Sequence, residues 1–333
     1  PPKPRDCWKY TAQIKSALNV VESNPEYGVN KENVLLIGIC WLNEDDRSAG
    51  SVKDGEIYFG RNLWQRGGSS VGPKFSDGSR ISSYQVADRL LDWLFDKKIF
   101  PNLNQVSLVG HSLGAQFVQR YAMLKKTRPY DPNLRFWVGN PGSFVWPSDR
   151  RPLVNESCER PLDWPYGLNN LSSIPKYARR DVEASKDGVV QRFLTRKVHY
   201  AFALLDNGQG DTHCQSMLQG WNHLDRGCKY VQELAQVTGE GDFPFPTQTV
   251  DFVANTSHQD FPMMSTNSSL RRIFLDEFDV RHQPLTNVSD PGERLGMRKK
   301  KFATPGNEKA SLALFLGSVS LVCLVYIALP FLF

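Results

Sequence analysis

The run Val106–Leu124 (VSLVGHSLGAQFVQRYAML) constrains this chain more than any other stretch. Four residues of strand character, Val106–Val109, lead straight into Gly110-His111-Ser112-Leu113-Gly114, and Ala115–Leu124 continues at helical spacing. A strand that turns directly into a helix puts its serine on a sharp, strained bend. Glycines two positions either side give the backbone room there, where a side chain would meet the neighbouring strand and helix. The helix N-terminus then turns amide groups and the positive end of its dipole toward the serine hydroxyl. A G-x-S-x-G match arises by chance in many chains, so the weight rests on the strand before it and the helix after it.

The rest of the chain fits such a unit. Short apolar runs alternate with helical patterns, which predicts an α/β fold with a mainly parallel central sheet and helices on both faces. Val34–Trp41 (VLLIGICW) reads as a buried strand, followed by a polar loop over 43–51. Ser83–Phe95 reads as a helix that Ser82 or Ser83 can cap. Leu134–Val138 reads as a strand stopped by Asn140-Pro141-Gly142. Residues 144–195 carry many Pro, Trp, Tyr and charged residues without a long strand pattern, and read as a cap-like insertion. Val198–Leu205 resumes the sheet, Cys214–Val237 is largely helical, Val250–Ala254 reads as the last strand and Met264–Phe278 as the last helix. With 333 residues there is ample chain for one such domain over 1–278, followed by a linker over 279–310.

A serine hydroxyl is a weak nucleophile until a base takes its proton and a carboxylate orients that base. On a strand–elbow–helix scaffold the chain order is serine, acid, histidine. Asp206 directly follows the strand Val198–Leu205, and His258 follows Val250–Ala254. Ser112, Asp206 and His258 are therefore the expected catalytic residues. Asp211, in the same loop, and Asp149 stand as alternatives for the acid. His213 and His223 read as packing or surface residues, His199 as a satisfied strand histidine, and His111 as a residue that shapes the pocket. His282 falls in the linker. The oxyanion hole is expected from the backbone N–H of Leu113 and a second one from the loop that begins at Trp41 or Leu42, with Trp41 taken first.

The segments FPNLNQVSLVGHSLGAQFVQRYA, NPGSFVW, DTHCQSMLQGWNHLDRG and TSHQDFPMM resemble a largely uncharacterised family of α/β hydrolases, esterase- or lipase-like, found in fungi, bacteria and algae. The resemblance covers about 34–278. It implies the α/β-hydrolase fold and a serine hydrolase using Ser112, Asp206 and His258, and it makes a Cys158–Cys214 bridge plausible. Ile39-Cys40-Trp41 departs from the turn that family often carries after its early strand. The expected reaction is hydrolysis of a small-molecule or lipid ester through an acyl-enzyme. Trp146, Trp164, Tyr166 and Tyr177 could line an acyl pocket or only pack the insertion onto the sheet. The alternatives are a serine peptidase of the same fold and a catalytically inactive, membrane-tethered binding protein. With no HExxH and no paired CxxC, no metal or cofactor is expected.

The net charge of +5 is not evidence for nucleic-acid binding. From position 291 onward six basic residues face two acidic ones, so the tail holds four of the five charges. Beyond it, 311–333 (SLALFLGSVSLVCLVYIALPFLF) has no charge and the length of a membrane span. A retained C-terminal anchor is favoured over a cleaved GPI signal, because the polar spacer after Gly306 and Asn307 is short. Arg298–Lys301 favours a cytosolic face for the domain. Sequons at Asn155, Asn170, Asn255, Asn267 and Asn287 and a content of six cysteines favour a luminal or extracellular one, which is the preferred reading. A glycan at Asn255 would crowd His258.

Overall fold

The structure, a computed structural model, describes residues 7–239 and 247–275 and the backbone of 319–323. The strands in chain order are β1 (Leu36–Ile37), β2 (Tyr58–Phe59), β3 (Ser70–Gly72), β4 (Leu103–His111), β5 (Leu134–Gly139), β6 (Lys197–Ala203), β7 (Gln248–Val253) and β8 (Val319–Cys323). The helices are α1 (Cys7–Ser23), α2 (Glu44–Ser48), α3 (Ser83–Leu94), α4 (Leu113–Leu124), α5 (Arg179–Ala184), α6 (Lys186–Leu194), α7 (Cys214–Met217), α8 (His223–Thr238), α9 (Asp260–Met264) and α10 (Asn267–Phe274).

Six strands form one sheet in the order β1-β8-β4-β5-β6-β7, and every neighbouring pair is parallel. β2 and β3 make a separate antiparallel ribbon. The strands bury both faces, and alternation divides their side chains between two cores. Phe136, Val138, Val198, Tyr200 and Phe202 join the core that contains α3, α4 and α8. Val109, Trp137, Ala201, Ala203 and Val253 join the other, beneath α1, α9 and α10. The expected α/β architecture with helices on both faces is therefore present.

Local signals explain several boundaries. Of the two caps the sequence offers, Ser82 caps α3, accepting from the Tyr84 N–H, and Gln85 Oε1 accepts in turn from the Ser82 N–H. Residues 144–195 contain α5 and α6 and no strand. The strand expected over Val34–Trp41 narrows to β1, because Leu35 is exposed and Cys40 turns away into a disulfide with Cys7. α1, over which the sequence reading predicts no element, buries Ile14, Ala17, Leu18 and Val21 at the i, i+3, i+4, i+7 spacing of an amphipathic helix.

The tail is where expectation and structure part. Of 311–333, only Val319–Cys323 is described, and it is extended rather than helical. It pairs with β1 on one edge (Leu36 with Val322) and β4 on the other (Val106 with Leu321). β7 is thus not the last strand of the sheet. A chargeless apolar run suits a bilayer and suits equally the inside of a parallel sheet covered on both faces. Among the described residues no helix is long and apolar enough to cross a membrane. The linker 279–310, Asn287, His282 and the rest of 311–333 lie outside the described residues. Of the other sequon asparagines, Asn155, Asn255 and Asn267 are exposed, while Asn170 is half-buried and donates to Asp163.

Candidate active site

The carboxyl ends of the parallel strands converge on one edge, where an open α/β sheet collects its functional loops. Ser112 follows β4 directly. Its backbone lies at φ 56°, ψ −118°, a left-handed conformation that a non-glycine residue rarely adopts. The Ser112 N–H donates to the Gly139 carbonyl at the end of β5 (2.9 Å), which ties the bend to the neighbouring strand. Of the two flanking glycines, only Gly110 is required sterically. A Cβ there would lie 2.3 Å from the Gly114 carbonyl oxygen, whereas a Cβ at Gly114 would meet nothing within 4 Å.

β6 delivers Asp206 and β7 delivers His258 to the same edge. His258 Nδ1 lies 2.7 Å from Asp206 Oδ2, and His258 Nε2 lies 2.8 Å from Ser112 Oγ. A carboxylate only accepts, so the Nδ1–H donates to Asp206 and Nε2 is left to accept the serine proton. Asp206 is 1% exposed. Burial alone would raise its pKa, but the His223 and His258 imidazoles beside it outweigh that and hold it down to about 2. The structure therefore brings together the serine, acid and histidine expected from the sequence.

The other candidates fall elsewhere. Asp211 accepts from Ser143 Oγ (2.8 Å) and the Tyr166 hydroxyl (3.0 Å) and pairs with His213 (2.6 Å). It thus anchors the insertion and the loop after β5, and is not the partner of His258. Asp149 pairs with Lys186 at the surface. His199 is buried against Thr249 Oγ1 (2.7 Å). Cys158 and Cys214 are disulfide-bonded, as the family resemblance implies, and join the insertion to the start of α7.

Leu113 is the first residue of α4, where a helix leaves its N–H groups without intrahelical acceptors. The Trp41 side chain is not part of the opening. It is buried, stacked on Trp64 (centroids 5.6 Å apart) and packed on Phe117 (4.8 Å), so only its backbone could serve an oxyanion. The Leu42 N–H is already spent on the Cys40 carbonyl (3.0 Å).

Three features escape the sequence reading. His111 is buried, hydrogen-bonded to the Tyr10 hydroxyl (3.1 Å), and its ring lies 4.9 Å from that of His258. Burial, reinforced by the neighbouring His258, holds His111 down to about 3, so it is neutral at ordinary pH. On the opposite side His223, expected to be a packing or surface residue, places its ring 4.3 Å from His258 and its Nδ1 3.2 Å from Asp206 Oδ1. Arg226, fully buried, donates to the carbonyls of Gly142 (2.5 Å), Gln209 (2.7 Å) and Gly220 (2.9 Å) and so clamps three loops around the site. Gly220 gives it room: a Cβ there would lie 2.8 Å from the Arg226 backbone nitrogen and 3.0 Å from its Cγ.

Asp206, His223 and His258 also hold metal-ligand-type atoms within 4.8 Å of one another. A cation there would compete with the hydrogen bonds that orient His258.

No family model and no curated protein matches the chain. Among solved structures it is similar to poly(aspartic acid) hydrolase-1 from Sphingomonas sp. KT-1, at 19% identity and a TM-score of 0.44, over 59% of this chain and 64% of that one. It is also similar to LpqC, a poly(3-hydroxybutyrate) depolymerase from Bordetella parapertussis, at 22% identity and a TM-score of 0.41, over 64% of this chain and 60% of that one. The chain thus spans less than two thirds of the length of either neighbour.

Proposed function

We propose that this chain is a serine hydrolase of the α/β-hydrolase superfamily that cleaves a carboxylic ester through an acyl-enzyme. The observation that carries the reading is His258 bridging a buried carboxylate and the hydroxyl of a serine held at positive φ. In this reading Ser112 Oγ attacks the ester carbonyl carbon while its proton passes to His258 Nε2. Asp206 keeps the imidazole in the productive tautomer and stabilises the imidazolium. The Leu113 N–H receives the oxyanion, with the Trp41 N–H proposed as its second donor. Collapse of the tetrahedral intermediate breaks the ester bond, and His258 returns the proton to the departing alcohol. Water, deprotonated by His258, then attacks the acyl-Ser112 ester and releases the acid.

Fluorophosphonate labelling of the full chain tests this. Wild type is expected to label, Ser112→Ala to lose labelling altogether, and His258→Ala to slow it by about 10²- to 10⁴-fold, the worth of a general base. A folded wild type that does not label would remove the reading. p-Nitrophenyl esters set beside peptide anilides then decide the acyl class, since a preference for anilides would replace esterase by peptidase.

A further inference from the structure

His223 opens α8 and meets the loop after β6 through its backbone and its side chain. Its backbone N–H donates to the Gly208 carbonyl (3.1 Å), and the next residue, Leu224, donates to the Asp206 carbonyl (3.2 Å). Its Nδ1 lies 2.8 Å from the same Gly208 oxygen and 3.2 Å from Asp206 Oδ1. A carbonyl only accepts, so Nδ1 carries a hydrogen and donates it to Gly208, while Asp206 Oδ1 faces the same nitrogen without accepting a hydrogen bond. Gly210 and His258 bound the imidazole. Gly210 sits at φ +60°, and a Cβ there would lie 2.4 Å from His223 Cε1 and Nε2. The other ring face packs on His258 at 32°. With only 7% of its side chain exposed, His223 is held by the loop on one side and by His258 on the other.

We infer that His223 is a positioning residue of the proposed reaction: its Nδ1–H, held on the Gly208 carbonyl, faces the Asp206 oxygen that His258 does not use, and its ring fixes the plane of the His258 imidazole. The two functions support one another. An aspartate held by only one histidine could rotate about its Cβ–Cγ bond, and His258 would then lose the alignment that reaches Ser112 Oγ. The lowering of the Asp206 pKa has the same origin, since His223 is the foremost of the contributions that oppose its burial.

This inference rests on the proposed serine chemistry, and the rate constant of fluorophosphonate labelling separates the two. His223→Phe keeps a ring of similar size and removes the donor. It is expected to slow labelling by roughly 10- to 100-fold, the scale of a small misplacement in a catalytic array. His223→Asn places an amide N–H close to the position of Nδ1–H and is expected to recover most of the rate. Melting curves identify which variants are folded. A folded His223→Phe that labels at the wild-type rate, or equal slowing in both folded variants, would overturn the positioning role while leaving the serine reading intact. A wild type that fails to label would overturn both.

Discussion

Asp206 is buried and yet ionised, a combination that the two imidazoles beside it sustain. Two consequences follow at this one residue. Asp206→Asn should keep the fold but present an amide where His258 needs an acceptor, favouring the wrong tautomer. Turnover of an ester substrate should fall by about 10⁴-fold, with KM little changed. The second consequence concerns stability. The folded pKa of about 2 lies below the ordinary 3.8, so the stabilisation is complete above pH 3.8 and is lost as the pH falls through about 2. The difference corresponds to about 2 kcal/mol. Urea unfolding of wild type and Asp206→Asn across that window should show wild type losing its extra stability and the variant changing less. Parallel curves would mean that the carboxylate is not held as described. Asp206 was legible in the sequence because it closes a strand run, VHYAFALL, in the right order after Ser112. His223 was not, because nothing in NHLDRG distinguishes a histidine that opens a helix from one that also faces the acid loop.

Among the elements, α1 touches three separate parts of the site. Cys7 is bonded to Cys40 beside Trp41, Lys9 pairs with Asp260 (2.5 Å) two residues beyond His258, and Tyr10 meets His111 of the elbow. One rigid helix thus spans the loop proposed for the oxyanion, the histidine loop and the serine turn. The Cys7–Cys40 bridge spans 33 residues, a loop whose closure is worth about 3–4 kcal/mol. The double variant Cys7→Ser, Cys40→Ser should lose stability of that order in urea unfolding, and its fluorophosphonate labelling should slow even where it remains folded. Labelling unchanged in a destabilised but folded variant would make α1 a support for the sheet alone. The element-level reading of the sequence was strongest where period, cap and turn agree: α3 with its Ser82 cap, and β4 running into Ser112 and α4. It passed over α1, although Ile14, Ala17, Leu18 and Val21 carry the helical stripe. It assigned Trp41 to the oxyanion loop by position alone, without the aromatic cluster that takes up its side chain. Arg226 escaped for a different reason, since its three carbonyl partners lie on loops separated in sequence and meet only in the folded chain.

For the molecule as a whole, the decisive element is β8. Removing any edge strand of a sheet frees one row of backbone groups, but β8 lies between β1 and β4, so its loss would unpair both neighbours. β4 is also the strand that carries Ser112. A membrane anchor has the opposite property: it can be deleted without disturbing the domain it tethers. The two readings of the apolar tail, a bilayer span over 311–333 and a strand within the sheet, therefore separate in one measurement. With β8 in the sheet, a chain ending at residue 310 should melt less cooperatively and at lower temperature than the full chain. Hydrogen exchange along Val106–Val109 should accelerate, because half of that ladder's partners are gone. Its labelling at Ser112 should fall with it, since the elbow depends on β4 being held on both edges. A truncated chain that melts cooperatively, keeps β4 protected and labels at the full rate would instead assign 311–333 to a role outside the fold, with β1 free to pair directly with β4.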